Sequence, residues 1–230
     1  VAESLCQFAD ELEGSTDFER DLQALIRKTI HAHKRIIFNG NGYDDAWLAE
    51  AEKRGLLNLR TTPECLPYYL ADKNVALFTK HRVYNRTEME ARYEIHLENY
   101  CKVLNIEALT MLEMVRRDIL PAVSGYIHEL SDTALAVHQL TTAADCSFEQ
   151  EQIAEMSGLL SDAFRKAKKL DAALFDTKFV SGSQALADYY RDHVFTAMAE
   201  LRISVDQLET MTPSRIWPFP SYGELLFSVK

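Results

Sequence analysis

A chain of 230 residues, 47% of them hydrophobic, is long enough to bury a substantial core, as one domain or two closely packed units. Its net charge of −10 repels a phosphate backbone and argues against nucleic acid as a partner. There is no apolar run of about 18 residues and no secretory h-region, so the sequence carries no signal for spanning a membrane or for export.

Apolar spacing and capping residues predict helices over 1–13, 17–34, 44–54, 62–70, 72–80, 87–130, 148–176 and 183–211. In the first, Leu5, Phe8, Ala9 and Leu12 share a face and Gly14 supplies a stop, but no start signal precedes Val1. The expectation is therefore a fragment of a longer protein that opens inside a helix. Thr16-x-x-Glu19, Thr87-x-x-Glu90, Ser147-x-x-Gln150 and Ser181-x-x-Gln184 fit the capping-box pattern. Thr62-Pro63 reads as a cap with proline at the first helical position. Asp44 caps a short helix that Gly55 ends in the left-handed region. The strand candidates are Ile36–Phe38 and Leu225–Val229.

The long helices carry stripes that pack at small crossing angles into an antiparallel bundle. Ile153, Met156, Leu160, Ala163, Ala167, Leu170 and Leu174 alternate spacings of three and four, which is a heptad seam. Leu186, Tyr190, His193, Ala197, Leu201, Ser204, Leu208 and Met211 nearly repeat it. The two are expected to pair, with Leu160 toward Leu201–Ser204 and Leu174 toward Leu186–Tyr190. Pro121 predicts a bend or a restart in the preceding helix. The polar stretch Asp132–Ser147 reads as a long exposed connection. The fold class expected is mainly α, a bundle of long antiparallel helices with a minor short-strand element in the N-terminal third and at the C-terminus.

Few residues suggest chemistry. The loop Asn39-Gly-Asn-Gly-Tyr43 alternates residues that tolerate positive φ, and it reads as either a turn or an anion cradle. With no Lys-Ser/Thr after it, it is not a P-loop. His31 and His33 are two apart on a helix, a poor geometry for a shared metal. His193 on the seam reads as a core or interface histidine. Glu90, Glu94 and Glu98 form a ladder that Arg92 and Lys102 can offset. Cys6, Cys65, Cys101 and Cys146 lie far apart without a C-x-x-C pair, as in a reduced cytoplasmic protein.

Several irregular phrases point further: Val1 to Leu12, His33 to Tyr43, Gly55 to Pro63, Phe78-Thr-Lys-His81, Glu94 to Thr110 and Trp217 to Phe227. Together they resemble the C-terminal portion of type III glutamine synthetases, the long bacterial form. The resemblance implies residues 1–104 as the end of the catalytic domain, 105–212 as an inserted long-helix bundle, and 213–230 as a Pro-rich turn and strand. It implies an ATP- and Mg-dependent parent enzyme ligating ammonia to glutamate, with a homo-oligomeric ring and the upstream catalytic segment as partners. The family's catalytic, nucleotide and metal motifs match no position in 1–230, so the chain alone is expected to be inactive, with no catalytic, cofactor or metal residues of its own. Asn39, Gly40, Asn41, Gly42 and Tyr43 are then expected to flank the parent's active site. Another reading is a free-standing helical adaptor without enzymatic activity, holding a partner helix in its groove.

Overall fold

A computed structural model describes residues 1–227, and these form helices and turns with no strand among them. The chain divides into two compact units, Val1–Ala91 and Arg92 onward.

The first unit holds α1 (Ala2–Leu12), α2 (Phe18–Ala32), α3 (Asp45–Lys53), α4 (Thr62–Tyr69), α5 (Asp72–Lys80) and the start of α6 (Arg86–Met114). Three helix starts differ from the sequence expectation by one or two residues. Thr61, not Thr62, caps α4 in a capping box with Glu64, whose carboxylate accepts the Thr61 N–H at 3.1 Å, so Pro63 stands at the second helical position. Asp17, not Thr16, opens α2 by accepting the Arg20 N–H. Asn85, not Thr87, opens α6 in a reciprocal box with Glu88. At α2 and α6 an Asp or Asn, at least as strong a cap as Thr, stands close by. Asp44 caps α3 as expected, accepting the Ala46 N–H. Gly55 then takes φ +71°, so that the Leu56 N–H reaches the Ala51 carbonyl. The same hydrogen-bond pattern ends α5, with Arg82 at φ +54° in the place glycine usually holds.

Neither expected strand forms in the described residues. Lys34–Ile36 is a 3-10 turn, and Ile37 and Phe38 continue without a partner strand. Tyr222–Leu226 is a short helix opened by a Ser221–Glu224 capping box, while 228–229 lie outside the described residues.

The second unit is built on three long helical rods. The first runs through α6, a π turn at Val115–Ile119, and α7 (Leu120–Leu140). The second is α8 (Ser147–Asp176). The third runs through α9 (Ser183–Tyr189), a π turn at Tyr190–Phe195, and α10 (Thr196–Met211). Pro121 has no amide to give the preceding turn. Just before it, the Leu120 N–H bonds to the Val115 carbonyl five residues back, so a π turn takes the place of a break. The expected loop at 132–147 is mostly helix, since α7 continues to Leu140. Its polar residues hide that signal: the Ser131 and Thr133 hydroxyls donate to the carbonyls of Ile127 and Glu129 one turn back. The Ser147 and Ser181 capping boxes do not form. Cys146 and Gly182 (φ +94°) precede the helices there, without side-chain caps.

α8 packs antiparallel to both α7 and α10, with Arg116 bonded to Asp171 at 2.7 Å and Lys169 to Glu200 at 2.6 Å. Met156, Ala163, Ala167 and Leu170 are buried against Val194, Ala197, Leu201 and Leu208, none more than 2% exposed. The expected pairing of the two seams therefore holds, but not its register. Lys166 and Asp162 meet Ser204, and Lys169 meets Glu200, so Leu174 lies level with about residue 195 rather than Leu186–Tyr190. α9 instead meets α6, where Gln184 accepts from Tyr93 and Glu94 accepts from Ser183. Ile153 and Leu160 are only half-buried. His193 is exposed beside the Tyr189 ring, because the π turn adds a residue and brings Val194 to the core in its place.

Candidate functional site

The Asn39–Tyr43 loop lies in the first unit, between the 3-10 turn and α3. What holds it is a stack the sequence reading did not find. The Phe38 ring lies on Trp47 with centroids 4.2 Å apart and planes 24° from parallel. The Arg54 guanidinium sits 5.5 Å from the Trp47 centroid and donates to the carbonyls of Arg35 (3.3 Å) and Ile37 (2.9 Å). Arg54 also bonds Glu50 at 2.6 Å, and that hydrogen bond holds the Glu50 carboxyl below its usual range. A guanidinium thus satisfies the carbonyls that a neighbouring strand would have taken. The signal was present in the sequence, since Trp47, Glu50 and Arg54 recur at helical spacing beside the loop.

Within the loop, the Asn41 side-chain oxygen accepts the Tyr43 N–H at 3.1 Å and the Asn41 carbonyl accepts from Asp44 at 3.3 Å. The expected positive φ is absent from both glycines; the residues with φ > 0 are elsewhere. Gly40 is required for another reason, because a Cβ there would lie 2.4 Å from the Phe38 ring. Gly42 has open space around it. Tyr43 stands fully exposed. The loop therefore presents amide groups and a phenol on a fixed base, chemistry suited to holding a polar group rather than to attacking one. Gly40→Val is expected to unstack Phe38 from Trp47 and change the Trp47 near-ultraviolet circular dichroism, whereas Gly42→Val leaves the signal close to wild type.

The other candidates separate. His31 and His33 are exposed. Glu90 pairs with Arg86 and Glu98 with Lys102, and Glu94 accepts from Ser183, so the ladder is partnered along its length. In the second unit a cavity of about 520 Å³ lies between α6 and α9, lined by Cys101, Asn105, Ser183 and Tyr190. Burial pushes the Cys101 thiol and the Tyr190 phenol above their ordinary ranges, and Tyr190 donates to Asn105 at 3.3 Å. Among the described residues no group of three His, Cys, Asp or Glu is placed to hold a metal ion. No helix among them is long and apolar enough to cross a membrane.

Two units of packed helices, one carrying an anchored polar loop and the other built on long rods, define a mainly α-helical domain. Its sequence places it more closely. The chain belongs to the glutamine synthetase C-terminal domain family, whose model matches residues 21–138, just over half its length. It is 38% identical over 217 residues to a glutamine synthetase of Butyrivibrio fibrisolvens, covering 93% of this chain and 31% of that protein. A type-3 glutamine synthetase of Dictyostelium discoideum is 32% identical over 211 residues, covering 88% of this chain and 28% of the relative. A glutamine synthetase of Bacteroides fragilis (strain YCH46) is 26% identical over 208 residues. The chain thus spans less than a third of the length of these relatives.

Proposed function

We infer that this chain works as the helical C-terminal portion of a type III glutamine synthetase, completing the fold of the longer enzyme and building contacts between its subunits. On this reading the longer protein ligates ammonia to glutamate at the expense of ATP. Asn39, Gly40, Asn41, Gly42 and Tyr43 lie beside its substrate cleft. The observation that carries the reading is the sparse core of the first unit. Leu25, Ala51, Val75 and Met89 are buried there, while Phe18, Ile26, Ile30, Ile36 and Ile37 are each at least 46% exposed. A unit of this size that leaves so much apolar surface in water needs a covering partner. The part of the relatives that lies outside the aligned region is the natural one.

A chimera tests this. The chain is joined to the part of the Butyrivibrio fibrisolvens relative that lies outside the aligned region, and γ-glutamyl hydroxamate formation is measured. The chimera is expected to turn over, the chain alone to match a heat-killed control, and Tyr43→Ala in the chimera to raise KM or lower kcat. Turnover by the isolated chain, or a folded but inactive chimera, contradicts the reading. Unchanged kinetics in Tyr43→Ala remove the loop from the cleft.

A further inference from the structure

An open apolar groove of about 690 Å³ runs along the second unit between α6 and α10, closed on one side by the segment from Trp217 to Leu225. Its floor is apolar and adaptable, with Met111, Met114, Met198 and Val205 beside Ile106, which is 63% exposed. Its rim is acidic. Arg202 is bonded to Asp206, whereas Glu107 and Glu209 have no basic partner among the described residues.

Elsewhere in the same unit, α8 carries a face of the opposite character. Phe164, Lys168, Ala172 and Phe175 follow one another at helical spacing on the exposed side, and Phe179 continues the line in the turn beyond. Phe164, Phe175 and Phe179 are 48%, 54% and 72% exposed. Lys168 lies over the Phe164 ring and Lys178 over Phe175, and neither has a carboxylate partner among the described residues. The lengths agree as well. From Ile106 to Ile119 the groove extends about 20 Å, and from Phe164 to Phe179 the face extends about 22 Å, at a rise of about 1.5 Å per residue.

We propose that the occupant of the α6–α10 groove is the outer face of α8 from a second copy of this chain, the phenylalanines filling the groove and Lys168 and Lys178 meeting Glu107 and Glu209. The two surfaces lie on different sides of one protomer's helices, so the contact is heterologous. Each copy keeps one groove and one α8 face free for further neighbours, which yields a ring or an open chain of subunits. An aromatic stripe with two cations fits this groove better than it fits water. It deepens the assembly role proposed above but does not depend on the ligase reading, because its readout is mass rather than turnover.

The test is charge reversal in the intact chain, followed by sedimentation velocity at about 0.1 mM protein, where a contact of micromolar strength is populated. Wild type is expected to self-associate, and more weakly as salt is raised. The groove variant Glu107→Lys/Glu209→Lys and the face variant Lys168→Glu/Lys178→Glu are each expected to associate about tenfold more weakly. All four substitutions in one chain are expected to restore association, because the charges match again with their signs exchanged. Phe175→Asp is expected to abolish it. All these positions are exposed, and helix content by circular dichroism confirms that each variant is folded. Monomeric wild type, or a fourfold variant as weak as either double variant, overturns the proposal. So does a monomer whose chimera loses activity on groove substitution, since the groove would then hold the relatives' additional segment.

Discussion

Leu170→Ala is expected to cost about 2–5 kcal/mol of folding stability, the range for removing a large aliphatic side chain from a packed interior. Leu170 is fully buried on the face of α8 that meets α10. The small neighbours Ala163 and Ala167, themselves 0% and 1% exposed, bring the two backbones close there, so little can move in to fill the void. Leu160→Ala is expected to cost less than Leu170→Ala, because Leu160 is only half-buried. Lys168→Ala, an exposed position two residues away on the opposite side of the helix, should stay within about 0.5 kcal/mol. Urea unfolding at unchanged slope measures all three. Equal losses at Leu170 and Lys168 would show that α8 does not present this face to α10.

Ser204 is the other position where a small change is expected to matter greatly. It is 1% exposed, and its hydroxyl donates to Asp162 at 2.6 Å while accepting from Lys166 at 2.8 Å. Lys166 and Asp162 also meet directly at 2.6 Å. Ser204→Ala removes the one hydroxyl that both charges share and is expected to cost about 1–3 kcal/mol. The network also predicts an acid dependence. The hydrogen bond from Lys166, and then that from Ser204, hold the Asp162 carboxyl below its ordinary value of 3.8. A depressed folded pKa means the unfolded chain takes up the proton first. The contribution is therefore complete above pH 3.8 and is lost as pH falls below that value through the lowered one. Stability measured against pH should show wild type and Asp162→Asn converging in acid. A difference that persists unchanged through the acid range would rule out this origin.

Helices were the most legible part of the sequence, because capping chemistry and apolar period act locally. Asp44 and Gly55 bracket α3 where they were expected to, and the buried stripe from Met156 to Leu174 follows its spacing. What failed depended on distant partners. Ile36, Ile37 and Phe38 have the composition of a strand, but a strand exists only if a neighbour takes its hydrogen bonds, and here Arg54 takes the carbonyls of Ile37 and of Arg35 just before the run. The loop Asn39–Tyr43 was recognisable as a special segment, while the reason for Gly40 was not. That reason is a ring placed by stacking on Trp47, nine residues further along the chain. A uniform repeat places His193 on the seam, and the π turn shifts the phase just there. The register of α8 against α10 was likewise out of reach, since it is fixed by Ser204 meeting two charges on another helix.

The π turns also bear on which length changes the long rods can absorb. At Val115–Ile119 the helix carries one residue more than an α-helical path between the same two ends requires. Deleting a residue there lets the turn relax to the ordinary repeat and leaves Val123 and Leu130 facing the core. The same deletion near Leu104 turns everything beyond it by about 100° and swings both side chains out into water. In a gene of this family, a lost codon within the turn is thus a mild lesion, and a lost codon three turns earlier is a frame error in the packing of the rod.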